Sequence, residues 1–286
     1  MTMVYVGAGD TFSAVSHGLV IIPHHIGPMS TLEIDTLPPP QLPPKPPRGV
    51  WKFVGTSLWG LFIFAAMFFG QATIVVYLLW QHGGGLDSAV IRAVAGSGTA
   101  ISLSIIMGLP AVALAIWIAT RLAGARFGDY LGLRWPTWRQ FFIGLAALIA
   151  LVGAWDLLAK AIGREVTATF MVEVLKSAQT DDVFLLLLIA FCVAAPLTEE
   201  FFARGFLYRG WSESFLRPFG AIVLSSLVWT AMHLQYDWFF FGEIMTIGLL
   251  FGYLRYLTGS TWLTIILHGL NNLAATIQTM WLASHP

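Results

Sequence analysis

Residues 53–80 read FVGTSLWGLFIFAAMFFGQATIVVYLLW, 28 positions without one charged side chain. About 20 apolar residues in helical conformation cross the hydrocarbon core of a bilayer, so this stretch predicts a transmembrane helix. The same texture returns at 94–120, 141–162, 183–209, 218–234, 238–257 and 262–281. The expected fold class is therefore all-α: a polytopic transmembrane helix bundle of about seven spans. Composition agrees. Charged residues are 10% and hydrophobic residues 57% of the chain, mean hydropathy is +0.75, and soluble domains carry about 25% charged residues.

Fifteen basic residues balance fifteen acidic ones, which leaves no excess to neutralise phosphates and excludes nucleic acid as a partner. The expected partners are membrane lipids and a peptide or protein substrate. The one cysteine, Cys192, lies in an apolar run, cannot close an intramolecular disulfide, and reads as a small apolar residue.

Residues 1–50 form a flexible or extended tail by composition. Pro38, Pro39, Pro40, Pro43, Pro44, Pro46 and Pro47 make its end a polyproline-type tether. No basic region leads into an apolar core there, so no cleavable leader is expected. The adjacent His24 and His25 read as solvated tail residues. Residues 51–165 hold the first three spans, and 183–283 form the second transmembrane unit. Alternating the spans puts eleven Lys and Arg residues on the side of the N-terminus and four (Arg92, Lys160, Arg164, Lys176) on the other. That bias orients the N-terminus to the cytoplasm and turns the 163–182 loop outward. Asp156 and Lys160 of the third span are spaced to neutralise each other at i,i+4.

Ionisable groups inside a bilayer cost about 2.5–3.5 kcal/mol each at a helix centre, so a cluster of them signals pairing or a wet cavity. The fourth span reads Ala194-Ala195-Pro196-Leu197-Thr198-Glu199-Glu200-Phe201-Phe202-Ala203-Arg204. Pro196 predicts a kink or a restarted helix, with Thr198 capping freed N–H groups. Glu200 and Arg204 share a stripe at i,i+4 and can pair. Glu199 points about 100° away, free to face a cavity as a general base. His233 ends the fifth span. His268 and Asn272 of the seventh are i,i+4, and Gly269 between them permits a close helix approach. Glu243 of the sixth span is expected to bond to a neighbouring helix. Taken singly, each of these residues is as readily a packing feature. Together they supply what hydrolysis needs: a base for water, groups to polarise a carbonyl, and a cation to hold the second acid. Neither Gly-x-Ser-x-Gly nor His-Glu-x-x-His is present.

The ordered motifs Glu199-Glu200-x-x-x-Arg204, Trp229-x-x-x-His233 and His268-x-x-x-Asn272 resemble the CPBP family (CAAX-protease and bacteriocin-processing, or Abi), over roughly residues 183–275. Trp229 stands where the family's second motif usually has Phe. The resemblance implies an intramembrane endopeptidase that cuts a membrane-associated substrate, prenylated or bacteriocin-like. In it Glu199 would activate water with help from His233, His268 and Asn272 would stabilise the oxyanion, and Glu200 and Arg204 would hold the architecture. It leaves open a metalloprotease, with zinc on Glu199, His233 and His268, against a metal-independent glutamate mechanism. Asn272 is a poor zinc ligand and suits an oxyanion donor, which favours the latter. The resemblance and the charge bias imply a multi-pass protein of a bacterial inner membrane. The alternative is a non-catalytic immunity or scaffold protein that keeps the polar core for packing. At ~1.5 Å per residue, Glu199 and His268 come out about 10–15 Å from the cytoplasmic face and His233 about 20 Å. His233 is thus the member that fits least well.

Overall fold

Short polar residues set where the helices begin. The computed structural model of the chain describes residues 49–83 and 87–285; the tail with its proline run and the His24–His25 pair lies outside them. The described helices are α1 (Phe53–His82), α2 (Ser88–Ala95), α3 (Gly98–Leu122), α4 (Phe127–Leu131), α5 (Trp138–Ala161), α6 (Thr169–Thr180), α7 (Phe184–Ser212), α8 (Arg217–Ala231), α9 (Trp238–Thr258) and α10 (Thr261–Ser284). Among the described residues there is no strand. Asp87 caps α2, Ser97 caps α3, Asp237 caps α9 and Ser260 caps α10, each side chain accepting from backbone N–H groups of the first turn. Thr137 and Gln140 make a reciprocal capping box on α5. Gly259 ends α9 in the left-handed conformation at φ 67°.

Five of these helices, α1, α3, α5, α7 and α9, are long and apolar enough to cross a membrane. The expected count is about seven spans; the other two expected segments, α8 and α10, form helices outside this set of five. α8 has 15 residues and reaches about 22 Å. α10 has 24 but carries His268, Asn271, Asn272 and Gln278. Polar site residues lie on α10 and equally on α7, which is one of the five. The cap at Ser97 also moves the start of the second span from 94 to 98. The expected outward loop at 163–182 contains a helix, α6, whose Val174, Leu175 and Ala178 pack with Leu187 and Phe191 of α7.

α7 runs through the two larger apolar clusters. In one, its Phe202, Phe206 and Leu207 pack with Ile63 of α1, Val112 and Ile116 of α3 and Leu131 of α4. In the other, Ala203 meets Leu148 of α5, Trp229 of α8, Phe251 of α9, and Leu263 and Leu267 of α10. Away from these clusters Leu61, Phe69, Val76, Leu157, Leu185 and Ile277 are more than half exposed, a surface suited to hydrocarbon and not to water.

Pro196 neither breaks nor restarts α7. The helix absorbs it in two widened, π-helical stretches, Ala190–Ala194 and Phe201–Leu207, where N–H groups reach five residues back. Thr198 does not cap freed N–H groups as expected; its hydroxyl donates to the carbonyl of Ala194 at 2.7 Å. A Cβ built on Gly269 would lie 2.5 Å from the carbonyl oxygen of Cys192, so α10 crosses α7 with backbone against backbone, as the glycine suggests. Asp156 does not pair with Lys160 either; it accepts a hydrogen bond from Gln278 of α10 at 2.9 Å. The start of α10 is itself tucked in. Ser260 and Thr261 are buried, the N–H of Thr261 donates to the carbonyl of Gly132 at 3.0 Å, and the hydroxyl of Ser260 donates to that of Arg134.

Candidate active site

Glu199 and Glu200 are neighbours in sequence and belong to different environments. Glu200 is fully buried and its Oε1 accepts from Nη1 of Arg204, also fully buried, at 3.0 Å. The second arm of the guanidinium, Nη2, donates to the carbonyl of Gly248 on α9 at 3.1 Å. The face of Arg204 lies over the indole of Trp229, 4.5 Å from the ring centroid. An ion pair with its charge spread over a carbonyl and an aromatic face is how a bare guanidinium is tolerated in an apolar bundle.

Glu199 lies about one turn-quarter round the helix and lines a cavity of ≈ 720 Å³. The same cavity is lined by Thr198, Trp229, His233, His268 and Asn272, and by apolar side chains that include Phe64, Phe68, Ile101, Phe170 and Met171. Glu200 and Arg204 do not reach it. Oε2 of Glu199 accepts the indole N–H of Trp229 at 2.6 Å. Nε2 of His233 stands 3.8 Å and Nε2 of His268 3.9 Å from that same oxygen. Both rings are held from behind. Nδ1 of His233 is 2.9 Å from the carbonyl of Trp229, and Nδ1 of His268 is 3.1 Å from Oε1 of Glu200. Each contact leaves Nε2 as the working nitrogen. Asn272 donates one amide hydrogen to the carbonyl of Phe191 at 2.8 Å, inside the first widened stretch of α7, which leaves its second hydrogen for another acceptor.

All six residues singled out in the sequence thus gather at one place, five around the cavity wall or its backing and Arg204 beneath them. His233 is not out of reach. α7 continues to Ser212, so Glu199 is 13 residues from its end, about 20 Å. His233 is 16 residues beyond Arg217, the start of α8, about 24 Å. The remaining difference is three residues, about 4.5 Å or less than one helical turn, and the buried start of α10 carries His268 inward to the same level.

Three residues belong to the site that the sequence did not assign to it. Trp229 entered only as an aromatic marker. Tyr236, between α8 and α9, lines the cavity; burial, reinforced by the charges of Glu199 and Glu243, pushes its phenol above the usual range and keeps it a neutral donor. Glu243, expected to bond to a neighbouring helix, makes no such side-chain bond among the described residues and lines the cavity.

Zinc on Glu199, His233 and His268 is a separate question of fit. Tetrahedral zinc with bonds of about 2.0–2.1 Å brings its ligand atoms to about 3.3–3.4 Å from one another. Here both nitrogens are farther than that from Oε2, and Oε2 already accepts the indole N–H. Among the described residues no group of three or more His, Cys, Asp or Glu side chains is arranged to hold a metal ion. The donor set in this arrangement does not fit zinc.

Compared with curated proteins and with solved structures, the chain finds no match. Residues 181–274, a third of the chain and the segment that carries all six site residues, match the family model described as type II CAAX prenyl endopeptidase Rce1-like, consistent with the CPBP resemblance of the three motifs.

Proposed function

We propose that this chain is an intramembrane endopeptidase in which Glu199 activates water against a peptide bond of a membrane-associated substrate. The observation that carries this reading is the division of labour between adjacent glutamates: Glu200 is consumed by Arg204 and His268, while Glu199 reaches the cavity between two imidazoles. In the reaction Glu199 takes a proton from water as its oxygen adds to the scissile carbonyl, with His233 beside it. The oxyanion accepts hydrogen bonds from the second amide hydrogen of Asn272 and from Nε2–H of His268. Glu199 then passes the proton to the amide nitrogen as the C–N bond breaks. The apolar part of the cavity favours a lipid-modified peptide, and a prenylated CAAX-type substrate is the one that the matched family's description names.

The test is cleavage of a farnesylated CAAX peptide by the purified protein in lipid nanodiscs, read by mass spectrometry. Glu199→Ala is expected to insert and fold as the parent does and to release no product. Cleavage retained by Glu199→Ala would overturn the proposal.

A further inference from the structure

Trp229 makes more specific contacts at the site than any residue the mechanism uses. It is 3% exposed. Its face rests on the guanidinium of Arg204 at 4.5 Å. Its ring meets those of His233 and His268 edge to face, with centroids 5.0 and 5.4 Å away. Its carbonyl holds Nδ1 of His233. Packing explains all four contacts, and a phenyl ring would keep them. The fifth contact is different: the indole N–H donates to Oε2 of Glu199 at 2.6 Å, and phenylalanine has no hydrogen to donate.

That bond has a mechanical consequence. The terminal torsion of a glutamate is broad, so a carboxylate on a cavity wall samples many orientations of its two oxygens. A short, charge-assisted N–H···O bond from a buried and immobile ring removes that freedom. Among the described residues the other oxygen, Oε1, accepts no hydrogen bond. One oxygen is therefore anchored and the other is left for water. The guanidinium pressed on the indole face draws electron density from the ring and strengthens the N–H as a donor, so the buried ion pair acts on Glu199 through the indole.

We propose that Trp229 is a positioning residue: its indole N–H, backed by Arg204, anchors one oxygen of Glu199 and presents the other to the attacking water. This rests on the hydrolytic reading for its purpose, though not for the contact itself. The motif this chain resembles usually has Phe at that position, which could not make this bond.

Two measurements test it together. The first is the proton–nitrogen spectrum of protein labelled with ¹⁵N-indole tryptophan, in nanodiscs; the resonance that vanishes in Trp229→Phe is that of Trp229. In Glu199→Gln, where a neutral amide replaces the carboxylate, this resonance is expected to move upfield. A resonance at the same position with and without the carboxylate overturns the proposal. The second is hydrolysis of the farnesylated peptide. Trp229→Phe is expected to lower kcat about 10- to 100-fold, the loss of one hydrogen bond to a charged group, while KM stays close to the parent value. A packing role alone would leave kcat unchanged in a folded variant, and that result overturns the proposal. Should Trp229→Phe fail to fold, 3-benzothienylalanine at 229 keeps the bicyclic shape without the donor, and the same two outcomes apply to it. A parent protein inert on the peptide, with the resonance moving as expected, strikes down the hydrolytic reading and leaves the anchored carboxylate standing.

Discussion

Removing Arg204 while leaving Glu200 is the sharpest perturbation the bundle offers. At 3.0 Å and an effective dielectric of 20, the attraction between the two charges is about 5.5 kcal/mol before desolvation. Both side chains are fully buried, and Oε2 of Glu200 has no partner among the described residues. Arg204→Met therefore leaves a buried carboxylate with Nδ1 of His268 but without its guanidinium, and removing one partner of a buried ion pair costs about 3–5 kcal/mol. Glu200→Gln strands the guanidinium instead, though Gly248 and Trp229 still hold it, so its loss should be the smaller. The combined Glu200→Gln, Arg204→Met variant carries no stranded charge. It should recover about 2 kcal/mol or more relative to the sum of the single losses, the upper range of coupling for residues in contact. Cys192, the single cysteine and half-buried, is a ready reporter: a thiol-reactive fluorogenic dye follows its exposure on heating in detergent. Single losses that simply add, within about 0.5 kcal/mol, would refute the pairing argument and with it the idea that Glu200 is spent on structure.

Gly269→Ala should lower the same thermal midpoint, because its Cβ would sit 2.5 Å from the carbonyl oxygen of Cys192 and overpacking of this kind costs about 1–3 kcal/mol; a variant as stable as the parent would deny the close crossing of α7 and α10. Hydrolysis of the farnesylated peptide should be unchanged after dialysis against a chelator, since the donor geometry does not suit zinc; loss of activity restored by added zinc would overturn that reading. A green fluorescent protein fused ahead of Met1 should be fluorescent in a bacterial host, and a cysteine introduced in the 163–182 segment should react with an impermeant thiol reagent from outside the cell. The reverse pattern would contradict the orientation drawn from the Lys and Arg distribution.

Much of the bundle could be read from hydropathy because a bilayer demands little else of a helix that faces it. Residues 53–80 have no charge to hide and became α1 almost residue for residue. The expectations that failed are those in which a polar residue chose its partner across the fold. Asp156 found Gln278 and not the nearer Lys160, since Lys160 can reach out of the bundle while Gln278 faces inward on α10. Thr198 turned its hydroxyl to the carbonyl four residues back, as Thr258, Thr276 and Thr279 do in uninterrupted helices. α8 and α10 read as spans on apolar content; α8 is short at 15 residues, and α10 is interrupted by the polar residues that serve the site.

The site was legible to the extent that it depends on helical phase. Glu199 and Glu200 differ by one residue, hence by about 100°, and that alone separates a buried partner for Arg204 from a carboxylate on the cavity wall. The depth of His233 was misjudged because depth needs the true ends of three helices: α7 runs three residues past Arg209, and α10 begins below the surface, under the 132–134 segment. Trp229 was legible as a type and not as a role. Whether an indole turns its N–H or its face to a carboxylate is fixed by what lies on its two sides, here Arg204 beneath and two imidazoles at its edges. Those neighbours come from α7, the end of α8 and α10, so the hydrogen bond on Glu199 exists only once all three have packed. A chemistry assembled this way is secure against slippage of any single helix. It also makes the indole sensitive to every substitution that moves one, which is why the ion pair beneath it and the glycine crossing behind it should both register at Glu199.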